Sequence, residues 1–339
     1  VDENKCTGCR KCEYECPITV PSPFDRDLGA FRAIRVPFST AIPQKAVLDP
    51  DYCLWCGKCE KVCPVDAVDY NQQPEMIEIA ATTVIMATGF ELTPVSVKRE
   101  YGEGKLPNVI DPLMMERFLA PTGPYGRVLR PGDGKEPGSI AYVQCAGSRD
   151  ETLGITYCSR ICCMYAIKQA MLLNGALPLA DITIYYMDIR TFGKGYEQFY
   201  QNAKAMGVSF VRGKVASITE DNDHNPIVKF ENTETGEIVE ATHDLLVLSQ
   251  GIVPAYDPNQ IVNMPLGTDK FISIPAPDAS PCVSEHPGIF VTGTAMGAMD
   301  IVDSIISASA AASEASSWIQ SHSHINLENH VPSSEVING

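Results

Sequence analysis

Nowhere in the 339 residues do about 18 apolar residues run together, which excludes a conventional membrane-spanning helix. The chain also opens without the basic and apolar regions of a secretory signal, and its first residue is Val1, so a processed start or a fragment is expected. Positive charge is scarce: 26 Lys and Arg stand against 42 Asp and Glu, for a net charge of −16. Such a balance argues against nucleic acid or an anionic membrane surface as a partner. No G-x-G-x-x-G follows a strand anywhere, so the usual pyrophosphate-binding turn is missing. A hydrophobic content of 45% with 20% charged residues is enough for two or three domains with real cores. Cysteine is plentiful, at 13 residues, and only Cys282 stands apart from tight groups. Grouping of that kind points to metal ligation in a reducing, cytoplasmic setting rather than to disulfides.

The first group is Cys6, Cys9, Cys12 and Cys16 followed by Pro17; the second is Cys53, Cys56, Cys59 and Cys63 followed by Pro64. Both follow C-x2-C-x2-C-x3-C-P, the spacing of two-cluster ferredoxins, in which the fourth cysteine of each run ligates the other cluster. Cys6, Cys9, Cys12 and Cys63 are therefore expected on one [4Fe–4S] cluster, and Cys53, Cys56, Cys59 and Cys16 on the other. Structural zinc takes four ligands as two knuckles and suits two complete four-cysteine runs poorly. Gly8 and Gly57 would let backbone approach inorganic sulfide. The long gap between the runs holds Arg26, Arg32, Arg35 and Lys45, either a docking face for an acidic partner or a solvated loop.

Downstream, Met76–Ile79, Thr83–Gly89, Ser139–Cys145, Asp181–Met187, Val208–Val211, Asp244–Gly251 and Gly288–Val291 read as strands, with further strands near Ala216 and Val228 joined by the turn Asp221–Asn225. Cys158–Leu173, Tyr196–Met206 and the Ala/Ser-rich Ile301–Ile319 read as helices. Strand and helix alternate as in a parallel α/β sheet followed by a meander. The run Gly293-Thr294-Ala295-Met296-Gly297 leads from a strand into a helix, which offers N–H groups and a positive dipole end to a phosphate or flavin; a close-packed helix would need the same small residues. Together these pieces resemble the thioredoxin-reductase-like flavoproteins with two dinucleotide domains. That resemblance implies FAD contacts from Thr88, Gly89, Gly293, Thr294, Ala295, Met296, Asp300 and Ile301, in a FAD domain whose first βαβ unit is missing.

Where the second dinucleotide domain would carry its own fingerprint stand Cys145, Cys158, Cys162 and Cys163. Cys158 and Cys162 would share a helix face, with Cys145 ending the strand before it. A helix N-terminus would depress their pKa values. The spacing suits a third cluster, but also a redox-active dithiol at Cys158 and Cys162, or buried core cysteines. The stretches Cys145–Glu151, Tyr157–Lys168 and Asp188–Tyr196 resemble the A subunits of heterodisulfide reductases, and the likeness runs from the ferredoxin module to the last helix. It implies a third [4Fe–4S] cluster on the Cys-x12-Cys-x3-Cys-Cys set, loss of nicotinamide binding, and Lys168 as a catalytic cation near flavin N5.

The fold class expected is thus α/β, a thioredoxin-reductase-like flavoprotein lacking its FAD fingerprint, with an α+β ferredoxin module. Domains are expected at 1–75 (ferredoxin module), 76–137 (FAD-domain segment and linker), 138–253 (NAD-like unit with the third cluster), 254–321 (rest of the FAD domain) and 322–339 (tail, including His322 and His324 without metal). The resemblance implies flavin-based electron bifurcation, or its reverse, in an anaerobic, methanogenic setting. Its partners would be a hydrogenase or formate dehydrogenase module, ferredoxin, disulfide-reducing subunits and a chain supplying the fingerprint. A non-flavin wiring role within another complex is the alternative, and a disulfide reductase using Cys158 and Cys162 is a third.

Overall fold

The computed structural model describes residues 1–38 and 40–322. The N-terminal module holds two five-residue helices, α1 (Lys11–Glu15) and α2 (Lys58–Val62), and four two-residue strands, β1 (Val20–Pro21), β2 (Ala30–Phe31), β3 (Ile34–Arg35) and β4 (Val47–Leu48), paired β1–β2 and β3–β4. Each helix ends in an extended residue, Cys16 (φ −67°, ψ 123°) and Cys63 (φ −70°, ψ 114°). Pro17 and Pro64 account for this, since the residue before proline is pushed out of the helical region.

Next come β5 (Val84–Met86), β6 (Phe90–Leu92), β7 (Val109–Ile110), α3 (Pro112–Leu119), β8 (Ser139–Ala146), α4 (Cys162–Ala176), β9 (Asp181–Tyr186), α5 (Tyr196–Ala205), β10 (Ser209–Glu220), β11 (Pro226–Asn232), β12 (Ile238–Thr242), β13 (Leu245–Gln250), β14 (Ile252–Pro254), β15 (Ile289–Val291) and α6 (Ile301–His322). The main sheet has seven strands in the order β12-β11-β10-β9-β8-β13-β7. Its β7, β13, β8, β9 and the start of β10 run parallel, while β10, β11 and β12 form an antiparallel meander. Side chains alternate as a two-residue period requires. Ile140, Tyr142, Ile184, Leu245 and Val247 pack under α3, α4 and α5. Ala141, Val143, Tyr185, Leu246 and Leu248 pack on the meander side with Val215, Val228 and Phe230. All six residues of β13 are buried, the near-continuous apolar run of a strand covered on both faces.

The sequence reading and the structure differ at four places. Residues 76–79 form no strand, and Met76, Ile77 and Ile79 are exposed, because no neighbouring backbone is there to pair with. The strands expected at Val208–Val211 and near Ala216 are one strand, β10. Gly213 lies within it, where a Cβ would sit 2.4 Å from the Glu231 carbonyl oxygen, so the glycine permits close pairing rather than marking a break. Helix α4 starts at Cys162, not Cys158, since Arg160 adopts φ +63° and interrupts helical backbone. Helix α6 continues to His322, whose ring stacks on Trp318 at 3.8 Å and bonds its carbonyl oxygen. Residues 323–339, including His324, lie outside the described residues.

Candidate metal centres

Two cavities open in the N-terminal module. One is lined by Cys6, Cys9, Cys12 and Cys63 with Gly8, Ala46 and Pro64. The other is lined by Cys16, Cys53, Cys56 and Cys59 with Pro17, Ile34 and Tyr70. The extended backbone before each proline carries Cys16 and Cys63 away from their own runs and into the opposite cavity. Gly8 has φ +69°, and a Cβ there would lie 2.2 Å from the Gln44 carbonyl oxygen, so glycine is needed for that close approach. Among the described residues no three His, Cys, Asp or Glu side chains converge as ligands of a single metal ion. The eight thiols surround two spaces instead, an arrangement that fits cubanes.

Donors point at the sulfurs. The amide nitrogens of Ala46, Trp55 and Ala67 lie 3.4, 3.3 and 3.3 Å from the Sγ of Cys6, Cys53 and Cys63. The Tyr70 hydroxyl is 2.8 Å from Cys59 Sγ, a contact that the cysteine spacing alone did not signal. Burial pushes the Cys12 thiol up to about 11, so that side chain is a thiol in the free site. A bound cation reverses that preference, because ligating sulfur must lose its proton.

The other four cysteines meet at the end of β8. Along the β13–β8 ladder Leu248 pairs with Val143 but Gln250 pairs with Ala146, so β8 carries one residue more than its partner. That bulge places Cys145 at φ +58°, a left-handed conformation that costs about 1–3 kcal/mol for a non-glycine residue. The loop to α4 is pinned by Ser159, whose Oγ lies 2.7 Å from Ser148 Oγ and accepts from the Ile252 amide at 2.9 Å. Cys158 lies in this loop and accepts from the Arg160 amide at 3.4 Å. Cys162 and Cys163 open α4, with Cys162 Sγ and the Tyr165 hydroxyl 3.3 and 2.7 Å from the Gln250 carbonyl oxygen.

Burial raises the Cys145 thiol, raises Cys163 to about 11 and raises Cys162 well above its usual range. For these three the depression expected from the helix N-terminus is overturned by loss of solvent. Neighbouring thiols, Cys158 among them, raise the three further, so all four lie within electrostatic reach. The Arg149 side chain bonds Cys145 and is paired with Asp188, while Arg160 is paired with Asp303 of α6 at 2.6 Å, so each cation comes with its own carboxylate. The donor set fits a cubane.

The residues expected at a flavin fall at one end of a small sheet. β5 and β15 pair in parallel, Val84 with Ile289 and Met86 with Val291, so Thr88-Gly89 and Gly293-Thr294 emerge side by side. Gly89 and Gly293 have φ +80° and +62°. Ala295 is buried, Met296 closes the turn after Gly293, and the Asp300 carboxylate caps α6 by accepting from the Asp303 amide at 2.9 Å, one residue past Ile301 and Val302. Lys168 lies on α4 with its Nζ 3.1 Å from both Glu116 carboxylate oxygens on α3, and Gln169 bonds Glu116 as well. Sequence reasoning found no sign of Glu116.

Among known proteins, the family described as a 4Fe-4S dicluster domain matches residues 5–67. The chain is 46% identical over 320 residues to the A subunit of the H(2)/formate:CoB-CoM heterodisulfide,ferredoxin reductase of Methanococcus maripaludis, covering 92% of this chain and 48% of that protein. It is 43% identical over 317 residues to the A subunit of the ferredoxin/F(420)H(2)-dependent CoB-CoM heterodisulfide reductase of Methanosarcina acetivorans, covering 92% and 40%. With the A subunit of the H(2):CoB-CoM heterodisulfide,ferredoxin reductase of Methanothermobacter marburgensis it shares 41% identity over 320 residues, covering 93% and 49%. The chain therefore spans about half the length of the curated relatives it matches. Among solved structures, thioredoxin reductase from T. acidophilum is 15% identical with a TM-score of 0.46, covering 71% of this chain and 66% of that one.

Proposed function

We propose that this chain, related to the A subunits of heterodisulfide reductases along nearly all of its own length, is an iron–sulfur and FAD electron-transfer unit of an oxidoreductase complex of that type. The observation that carries the proposal is the gathering of twelve cysteines into three four-thiol sets with donors or cations aimed at them. Cys6, Cys9, Cys12 and Cys63 would hold one [4Fe–4S] cluster, Cys16, Cys53, Cys56 and Cys59 a second, and Cys145, Cys158, Cys162 and Cys163 a third. When bound, cubanes exchange single electrons and FAD exchanges one or two, so the set supplies the interconversion between them.

On this reading residues 1–75 form the ferredoxin module, 76–137 and 254–321 belong to the flavin domain, and 138–253 carry the third cluster. Thr88, Gly89 and the Gly293–Ile301 turn would meet FAD, and Lys168, released from Glu116, would present its ammonium near flavin N5. A G-x-G-x-x-G segment from outside these 339 residues would complete the flavin domain beside β5. The activity proposed is flavin-based bifurcation or its reverse, between a two-electron donor such as a hydrogenase or formate dehydrogenase module, ferredoxin, and a disulfide-reducing subunit.

Anaerobic assay of the purified protein should give about twelve iron and twelve sulfide per chain, four for each cubane. Cys145→Ser should lower both by about four while the other two clusters stay. Iron near eight, with alkylatable Cys158 and Cys162, would instead support a dithiol. The second reading is a wiring role without flavin. An assembled complex with full iron and no FAD contacting this chain would establish that reading in place of the first.

A further inference from the structure

The two cavities of the N-terminal module are related by an internal repeat, and one side chain breaks that repeat. Seven residues after Cys63 stands Tyr70; seven residues after Cys16 stands Pro23, which has no hydroxyl. The Tyr70 hydroxyl lies 2.8 Å from Cys59 Sγ. Its ring is half-buried and packs on Trp55 at 5.5 Å, with the planes tilted by 58°, which fixes the hydroxyl's direction. Trp55 itself is held between two ligands, at φ +54°, with its amide on Cys53 Sγ. Around the other cavity the sulfur contacts come from the backbone of Ala46 to Cys6 and of Ala67 to Cys63, and from the Thr7 side chain to the outward Cys9; no aromatic hydroxyl reaches a sulfur there.

We propose that Tyr70 is a positioning residue for electron transfer, donating a hydrogen bond to the Cys59 sulfur and so making the centre at Cys16, Cys53, Cys56 and Cys59 easier to reduce than the same cage without it. The inference rests on the reading that these four cysteines hold a cubane. Once Cys59 is a metal thiolate it has no proton to give. The phenol keeps its proton at neutral pH and is the only donor of the pair. A hydrogen bond to a ligand sulfur draws charge from it and favours the reduced, more negative state, as hydrogen bonding to sulfur is one of the means by which proteins set cluster potentials. The neutral Tyr70 hydroxyl thus acts on one centre of the module and leaves its repeat-related partner untouched.

The test is reductive titration of the full chain, reconstituted anaerobically and followed by EPR, for the wild type and Tyr70→Phe. The Phe ring keeps the packing on Trp55 and removes only the hydroxyl. One midpoint should fall by about 59 mV or more, a tenfold weaker one-electron equilibrium, while the others stay. Site-specific replacement of Tyr70 by 3-fluorotyrosine keeps the ring and a hydroxyl that is still protonated at neutral pH but is a stronger donor, and the same midpoint should then rise. Full iron with unmoved midpoints in both variants overturns the role of Tyr70 and leaves the cluster assignment standing. A wild-type chain that takes up no cubane at these four cysteines overturns both.

Discussion

At the scale of single residues, the site depends on a few side chains whose neighbours leave no slack. Gly251 is one: a Cβ there would lie 2.0 Å from Ser148 Oγ and 2.4 Å from Ser159 Oγ. Gly251→Ala should force the two serines apart and release the loop that carries Cys158. The expected outcome is loss of about four iron per chain, with the EPR signals of the N-terminal module retained. His243 offers a second test. It follows β12, with Nδ1 2.8 Å from Ser139 Oγ and Nε2 2.9 Å from the Tyr185 hydroxyl. Burial holds its pKa below the ordinary value of 6.5, with Asp244 pulling weakly the other way. A histidine kept neutral by folding contributes stability that is complete above the unfolded pKa. That contribution is lost as pH falls below 6.5 and through the folded value, because the unfolded chain takes up the proton first. Thermal melts from pH 7.5 to 5.5 should therefore show a decline that His243→Gln makes shallower. The eight cysteines that line the two N-terminal cavities stood out in the sequence because cluster chemistry demands fixed spacing, whereas the spacing of Cys145, Cys158, Cys162 and Cys163 left other readings open. Tyr70, Glu116 and Gln250 did not stand out, since each meets its partner through tertiary packing that no local pattern records.

At the scale of elements, α3 connects the module to the rest. Asp111 caps it by accepting from the Met114 amide at 2.8 Å and also accepts from Arg26 at 2.6 Å, while Arg117 near its other end donates to Asp25 at 2.9 Å. Adjacent residues of the N-terminal module, Asp25 and Arg26, thus clasp both ends of one helix, and Glu116 on the same helix holds Lys168 of α4. Arg26 was read in sequence as part of a loop or docking face; the cross-pairing makes it half of a joint. Asp111→Asn should remove a charge-assisted bond and weaken a cap, about 1–2 kcal/mol in sum. Hydrogen exchange of the 112–119 amides should speed up, and added salt should accelerate the wild type toward the variant. Strand and helix order was legible from periodicity. The start of α4 was not, because apolar spacing runs straight through 158–162 and only the backbone at Arg160, φ +63°, interrupts it. The continuity of β10 from Ser209 to Glu220 was missed as well, because its first residues pair with β9 and its later ones with β11, a change of partner that local pattern does not record.

At the scale of the whole molecule, the polar and apolar surfaces divide sharply. The parallel part of the seven-stranded sheet is covered on both faces, whereas β5 and β15 make a sheet of two strands only. Val84 and Ile85 of that pair, and Ile301, Val302, Ile305 and Ile306 of α6, stay exposed, an apolar surface of the sort that marks an interface. Two strands alone are marginal in water. In the isolated chain this part should open locally ahead of the main sheet, with protease cleavage near 76–83 preceding cleavage within 139–250. The Cys145 bulge also has an evolutionary reading. Side chains alternate faces along a strand, so a single extra residue exchanges inside for outside at every position beyond it. Because β8 ends right there, the exchange reaches only the tip and spares the buried run from Ile140 to Val143. A binding loop grafted at such a place can change its chemistry by one insertion while inheriting an intact core, so the end of this strand is where the fold can acquire a new cofactor at least cost.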